Sequence, residues 1–275
     1  MSQQTFEIRR SHVPPRPRAV SRWTTAGISI AVLVTLHVVA LRDTGFRISE
    51  LIAGAEGMGA FLSDAFPADF DWDTVLAPAL AATATTLWIG LLGTTLSIPA
   101  ALLLAVLGSR TTSGNKVVYQ LARALLSFFR AVPDVVFALI FVTAVGLGPF
   151  AGVLALICHN TGVMGKLWAE ALEESDQGPQ QALGTAGATR LQQVMHASLP
   201  MVTGSFVGLL LYRFDVNVRS SLVLGLVGAG GIGLLINQSI KSFQFDAMVT
   251  QILVVLVLII LVDQLSAFIR KRVAV

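Results

Sequence analysis

The sequence has few charged residues and a single cysteine. Charged residues make up 13% of the chain, against roughly 25% in soluble domains. Because Cys158 stands alone, no disulfide framework can form within one chain. The sequence also lacks a G-x4-G-K-[ST] string, so it cannot bind ATP through that phosphate loop. These absences exclude a typical soluble domain, a disulfide-stapled secreted fold and nucleotide hydrolysis by this route.

Residues that perform bond chemistry are not clustered either. No set of His, Cys, Asp and Glu has metal-ligand spacing, and no second catalytic group accompanies Cys158. Gly228, Gly230 and Gly233 satisfy G-x-G-x-x-G, but no strand or βαβ unit surrounds them. The basic residues flank apolar runs without interleaved aromatic residues. We therefore predict no catalytic residue, no metal site, no cofactor of the chain's own and no nucleic-acid partner.

Long uncharged runs are what the sequence has instead. A helix needs about 20 predominantly apolar residues to cross the hydrocarbon core, and the runs predict an all-α polytopic membrane protein with about six transmembrane helices. We place the second span at residues 79–107, the third from before Pro133 to residue 147, and the fourth at 150–166. Pro200 opens the fifth span. The first and the sixth cover residues 23–41 and 247–265.

The basic residues predict the orientation of these spans. Cytoplasmic loops carry an excess of Lys and Arg, and most of the nineteen such residues fall on one side of the predicted topology. Both termini then lie in the cytoplasm. The exceptions are Arg42, Arg47, Arg213, Arg219 and Lys241.

The chain divides into five predicted parts. Residues 1–22 form a basic, disordered cytoplasmic tail, and residues 23–41 form the first transmembrane helix. The extracytoplasmic segment 42–76 is acidic, and residues 48–66 within it have the apolar spacing of an interfacial amphipathic helix. Residues 77–268 form the main membrane domain, with a cytoplasmic loop at 167–199. A short cytoplasmic tail, 269–275, closes the chain.

A polar stretch rich in small residues, Gly178 to Pro200, separates the fourth and fifth spans. Pro179 suits the first turn of a short helix, and Gly187 suits the residue that ends it in a left-handed conformation. A second short helix is predicted over residues 188–197, with Pro200 stopping it before the next span. Two short helices at an angle would form a knob on the membrane domain. An ordinary amphipathic loop is the alternative.

The spacing of Gln181, Ala182, Gly187, Leu199 and Pro200 resembles the coupling loop of permease subunits in binding-protein-dependent ABC importers. That family pattern is E-A-A-x3-G-x9-I-x-L-P. This chain departs from it with Gln181 for Glu, Leu183 for the second Ala and Ala197 for Ile. Further stretches are similar to the phosphonate-type branch, although Asp215 stands where that branch has Glu. They are residues 130–134, 146–152, 165–167, 170–173, 212–214, 217–220 and 224–233.

The resemblance implies a type I ABC importer permease fold with cytoplasmic coupling helices. It implies a complex of two permease chains, expected to be identical, with two ATPase subunits that bind ATP and Mg²⁺. It also implies an extracytoplasmic phosphonate-binding protein and a location in the plasma (inner) membrane. The substrate would be a phosphonate or a related phosphite or phosphate oxyanion. The glycine-rich stretch would let helices or a re-entrant turn pack closely through Gly225, Gly228, Gly230, Gly231 and Gly233.

Charged residues near membrane depth are candidates for the substrate pathway. Asp215 and Arg219 are four residues apart, so they can pair on one helix face, whereas Arg213 points elsewhere. One hypothesis is that Arg213, with Arg219, makes the pathway electropositive. The other is that these charges form a buried ion pair that fixes helix packing. For His159 we predict a hydrogen bond between helices.

Two other classes of protein are considered. An ion-coupled secondary transporter of a small anion would use acidic residues within its spans or an inverted repeat. Only Asp215 and Asp263 lie near span interiors, and no repeat is evident. An intramembrane enzyme would need a paired nucleophile and base, which the sequence does not offer.

Overall fold

A computed structural model describes the backbone of residues 19–273 and the side chains of residues 23–272, so residues 1–18 of the predicted basic tail lie outside the described residues. All regular elements in this described part are helical. The chain divides into two compact units, residues 1–59 and residues 60–275.

The first unit contains one long apolar helix, α1, over Ala19–Asp43, which begins earlier than predicted. Its described side chains are exposed, and a helix of this kind is stable in lipid because its backbone groups bond internally. The predicted amphipathic helix at 48–66 is instead two helices, α2 (Ile48–Ala53) and α3 (Ala55–Ala65). The division falls at Gly54, consistent with the low helix propensity of glycine.

In the second unit, α4 (Ala77–Leu107) continues from a π-helical turn at Trp72–Leu76, so this helical stretch begins before residue 79. Asp71 caps the turn: its carboxylate accepts bonds from the Thr74 hydroxyl at 2.6 Å and the Thr74 N–H at 2.9 Å. These two bonds hold the pKa of Asp71 below its usual value, because they favour the ionised carboxylate.

The predicted third span is broken. Helix α5 (Lys116–Ala131) and helix α6 (Asp134–Val145) meet at an angle of 85°. Pro133 explains the break, because it lacks an N–H and disfavours a helical conformation at Val132, which is extended. Helix α6 has 12 residues, or about 18 Å at 1.5 Å per residue, and is shorter than the hydrocarbon core. The prediction of a continuous third span was therefore wrong.

The fourth predicted span is the longer helix α7, Pro149–Glu174, which continues past Lys166 into the predicted loop. Two ion pairs explain the extension, since Arg123 of α5 lies 2.9 Å from Glu173 and 3.9 Å from Glu170. Helix α7 contacts α4, α5, α6 and α10. Its glycines allow this close packing: a Cβ at Gly162 would lie 2.6 Å from the Cβ of Phe129.

The helices α8 (Gly178–Thr185), α9 (Arg190–Gln193) and α10 (Leu199–Leu226) follow. A π-helical turn at Val194–Ser198 joins α9 to α10, so the helical stretch runs from Arg190 to Leu226. The prediction that Pro200 stops the second short helix before the next span was therefore wrong. Pro200 lies in the first turn of α10, where the wider hydrogen-bonding pattern of the preceding turn accommodates a residue without an N–H.

Two helices complete the chain, α11 (Ile232–Lys241) and α12 (Phe245–Val273). The predicted tail at 269–275 is therefore helical through residue 273. Apolar cores form where α4, α7 and α10 meet and where α4 meets α11 and α12. Five described helices are long and apolar enough to cross a membrane, or up to six if α5 and α6 count as one broken span. This confirms an all-α polytopic architecture.

Candidate functional site

The coupling segment, residues 178–200, is built as two short helices followed by the first two residues of α10. Pro179 lies in the first turn of α8, as predicted. Gly187 has a φ of +88°, which confirms the left-handed residue after the first short helix. The second helix begins at Thr189, whose side chain and that of Gln192 form a capping box.

The predicted coupling residues do not all share one environment. Gln181, Ala182 and Gly187 are exposed, and a Cβ at Gly187 would meet nothing within 4 Å. Pro200 is exposed too, whereas Leu199 is half-buried and packs against the core between α4, α7 and α10. The first three residues thus form an open surface at the tip, and the last two belong to the base of the segment.

Side-chain hydrogen bonds tie the coupling segment to the loop between α4 and α5. The Gln180 amide donates to the Thr111 carbonyl at 3.0 Å, and the Arg190 guanidinium donates to the Ser113 carbonyl at 2.9 Å. Below them, the rings of Trp168 on α7 and Phe206 on α10 stack with centroids 4.6 Å apart. The two hydrogen bonds fix the segment to this loop, and the ring stack joins the helices on either side of the segment, so it is not a loose loop.

A polar network lies buried between α4, α7 and α10, with Arg213 at its centre. The Arg213 side chain donates from Nε to Oδ1 of Asn160 at 2.9 Å and from Nη2 to Oδ1 of Asn217 at 3.1 Å. The amide of Asn160 then donates to Ser97 at 2.6 Å, and that of Asn217 donates to Thr94 at 2.8 Å. All five residues are buried.

Of the residues in this network, the sequence predicted a functional role only for Arg213. Asn217 had a local signal, because it lies four residues after Arg213 on the same helix face. No local sequence signal pointed to the other three partners, because they are distant from Arg213 in the chain: Asn160, Thr94 and Ser97. Among residues 23–272, no carboxylate lies within ion-pair distance of Arg213. Arg213 therefore takes no part in the ion pair considered as the alternative, since its hydrogen-bond partners are neutral amides.

Asp215 and Arg219 form the predicted pair, with Nη2 of Arg219 at 2.9 Å from Oδ2 of Asp215. The same nitrogen lies 3.7 Å from Asp263 on α12. Asp215 is buried and its Oδ1 has no hydrogen-bond partner, whereas the Arg219 side chain is half exposed. The structure therefore separates Arg219, which lies beside two carboxylates, from Arg213, which has no carboxylate within ion-pair distance among residues 23–272.

The glycine-rich stretch between α10 and α11 is tightly packed. A Cβ at Gly225 would lie 2.6 Å from the Gly230 carbonyl and 2.8 Å from Cα of Gly233. Gly228, Gly230 and Gly231 have positive φ angles, and the N–H of Ile232 donates to the Thr86 hydroxyl at 2.8 Å. The prediction of close approach through these glycines is confirmed.

We expect Gly225→Ala to destabilise the protein, whereas Gly204→Ala in the same helix should not. The methyl group at position 225 would overlap backbone atoms, and overpacking of this kind costs about 1–3 kcal/mol. Gly204 faces open space, and alanine there gains helix propensity of roughly 1 kcal/mol. Thermal unfolding of both variants in detergent measures the difference. Equal melting temperatures would contradict the packing argument.

His159 makes the kind of contact predicted for it. Its Nδ1 lies 3.0 Å from the carbonyl oxygen of Val132, the residue at the break between α5 and α6. The imidazole of His159, on α7, thereby provides a hydrogen-bond partner for a carbonyl that the end of α5 leaves without one. Within the described residues, no cluster of His, Cys, Asp and Glu is arranged to hold a metal ion.

These features together define a permease of the type I ABC importer fold. A solved structure of the methionine ABC transporter MetNI in an inward-facing conformation is similar, with a TM-score of 0.61 over 72% of this chain and 95% of that one. Its sequence identity is 23%, so the likeness concerns the fold.

The chain belongs to the family described as binding-protein-dependent transport system inner membrane component, whose model matches residues 93–275. The phosphite transport system permease protein PtxC of Stutzerimonas stutzeri is 36% identical over 88% of this chain and 85% of its own length. The phosphate-import permease protein PhnE of Mycolicibacterium smegmatis is 38% identical over 80% of this chain and 41% of its own length.

Family membership establishes a multi-pass permease subunit, and it implies ATPase and substrate-binding partners. The ATPase is a separate subunit in such systems. Neither the family nor these relatives support the ion-coupled carrier considered above.

Proposed function

We propose that this permease carries small phosphorus oxyanions, namely phosphonate, phosphite or phosphate, into the cell. The observation that supports this substrate class most is the 36% identity to a phosphite permease across most of both chains. The buried positive charge of Arg213 agrees with it, because an arginine side chain stays protonated in proteins and these substrates are anions.

Arg213 acts on the substrate through its field. Two of its N–H groups are used by Asn160 and Asn217, and its side chain is buried. The buried guanidinium is thus held in place and does not bind the anion tightly. This suits a transport pathway, because tight binding would slow the release of the substrate. Asp215 and Arg219 contribute a neutralised pair near the outer end of the pathway, where Arg219 remains half exposed.

The coupling segment transmits the motion of the ATPase. Its tip, formed by Gln181, Ala182 and Gly187, contacts the ATPase subunit, and the small Ala182 and Gly187 let the two surfaces approach closely. Its base, Leu199 and Pro200, continues directly into α10, the helix that carries Arg213. A movement of the tip therefore reaches the pathway through one helical stretch.

The proposed assembly contains two copies of this chain, two ATPase subunits that bind ATP and Mg²⁺, and an extracytoplasmic binding protein for a phosphonate-type anion. It lies in the plasma (inner) membrane with both termini of each permease in the cytoplasm. Residues 77–268 form the permease domain, preceded by the 23–41 span and the segment 42–76. Labelling of single cysteines at Ala186 and Gly45, introduced in a chain that carries Cys158→Ser, from each side of the membrane tests this orientation.

Purification of the tagged chain from its native membrane in mild detergent, followed by mass spectrometry, tests the assembly. Recovery of an ATPase and a phosphonate-type binding protein is expected. Uptake of labelled phosphite, phosphate and methylphosphonate by the same cells then ranks the substrates. Reproducible recovery of the chain alone would contradict the assembly, and uptake of none of the three anions would contradict the substrate class.

A further inference from the structure

A basic cleft lies beside the coupling segment, away from the pathway residues. It encloses about 420 Å³ between the loop that follows α4, the first turns of α5 and the start of α9. That volume is in the range of small-molecule sites. Three cationic side chains line it, Arg110, Lys116 and Arg190, and no carboxylate is among its lining residues.

The two arginines are held in position by neutral groups. Nε of Arg110 donates to the Tyr119 hydroxyl at 3.1 Å, and Nη1 of Arg190 donates to the Ser113 carbonyl at 2.9 Å. These bonds orient the guanidinium groups, and neither arginine side chain has a carboxylate within ion-pair distance among residues 23–272. The charge of Glu173 acts on Arg110, but this carboxylate accepts a hydrogen bond from the backbone N–H of Arg110 and pairs with Arg123.

Lys116 completes the cluster. It is exposed, and no hydrogen bond or ion pair to its ammonium is seen in the described part of the chain. It is also the first residue of α5, a helix of 16 residues, whose positive dipole end adds to the field of the three cations. Two oriented guanidinium groups with an exposed ammonium group beside them suit a phosphate oxyanion, which arginine binds bidentately.

We propose that this cleft is a binding site for a phosphate group, separate from the transport pathway, that bridges the loop after α4 and the coupling segment. Arg190 lies in the coupling segment and Arg110 in the loop, so an occupant with two or more oxygens contacts both at once. The phosphate group comes either from a free anion or from the headgroup of an anionic lipid. The assignment does not depend on which substrate is transported.

The test uses the permease assembled with its ATPase in nanodiscs of phosphatidylcholine and measures binding of labelled inorganic phosphate. We expect saturable binding that weakens about tenfold in Lys116→Gln, since loss of one charged contact removes roughly that much affinity. Lys271→Gln is the matched control, because Lys271 is an exposed lysine in the last turn of α12 and does not line the cleft. It should bind phosphate like the wild type.

A second arm separates the two sources of the phosphate group. In nanodiscs that contain phosphatidylglycerol, a lipid occupant would weaken phosphate binding, and native mass spectrometry would show the lipid retained by the wild type and lost from Lys116→Gln. A free anion would bind equally in both kinds of nanodisc. Equal phosphate binding and equal lipid retention in the wild type and Lys116→Gln would overturn the proposal. Phosphate bound in the pathway does not confuse the test, since Lys116→Gln leaves that region unchanged.

Discussion

Replacement of Gly187 by arginine is expected to lower uptake at least about 100-fold while the chain still inserts in the membrane. A large charged side chain at the tip of the coupling segment would separate it from the ATPase, and loss of a central interface contact costs about 3 kcal/mol, or roughly 100-fold. The measurements are uptake of labelled phosphite and the amount of ATPase recovered with the chain.

Gly45 provides a matched control for this substitution. It has a φ of +64°, and a Cβ there would meet nothing within 4 Å, as at Gly187. Gly45→Arg therefore imposes a similar backbone strain and a similar charge outside the coupling segment. We expect it to keep most of its uptake. If Gly187→Arg transports normally with an intact complex, the assignment of the coupling segment is wrong.

Asn217→Asp is expected to abolish most transport without unfolding the protein. Aspartate has nearly the shape of asparagine and can still accept the bond from Arg213, but it adds a negative charge beside the guanidinium. If the charge of Arg213 attracts the anion, its neutralisation should lower uptake by about 100-fold, since about 2.7 kcal/mol of lost barrier stabilisation corresponds to that factor. Uptake per assembled complex is the measurement.

Substitutions at Arg213 itself separate charge from packing. Arg213→Lys keeps the charge but loses the fork that bonds both asparagines, so we expect about a tenfold loss of uptake, since the lost charge-assisted bond is worth at least about 1.5 kcal/mol. Arg213→Gln removes the charge, so its uptake should fall by as much as that of Asn217→Asp. Thermal unfolding of each complex shows whether packing has failed. A wild-type rate in Asn217→Asp would mean that Arg213 serves packing alone.

Local features of the chain were predictable because their causes are local. Five of the apolar helices are long enough to span a bilayer by their own length and composition, and Gly187 takes a left-handed conformation because it ends a short helix. The pair of Asp215 and Arg219 follows from a spacing of four on one helix. These features were sufficient to predict the membrane class and the coupling segment.

Element boundaries were less predictable, because they depend on partners outside the element. Helix α7 extends past its predicted end where Arg123 of another helix compensates Glu170 and Glu173. The helix at Pro200 continues because a π-helical turn precedes it. Neither the compensating charge nor the wider turn can be read from the residues at the boundary.

By itself, the sequence determined that this is a polytopic helical membrane protein with a projecting coupling segment, since hydrophobicity and turn chemistry act over a few residues. Only the tertiary structure decided what surrounds Arg213. Its partner Asn160 is 53 residues away in the chain, and Thr94 is 123 residues from Asn217. Bonds of this kind depend on how each helix is rotated and where it crosses its neighbours, and the packing of whole helices sets both.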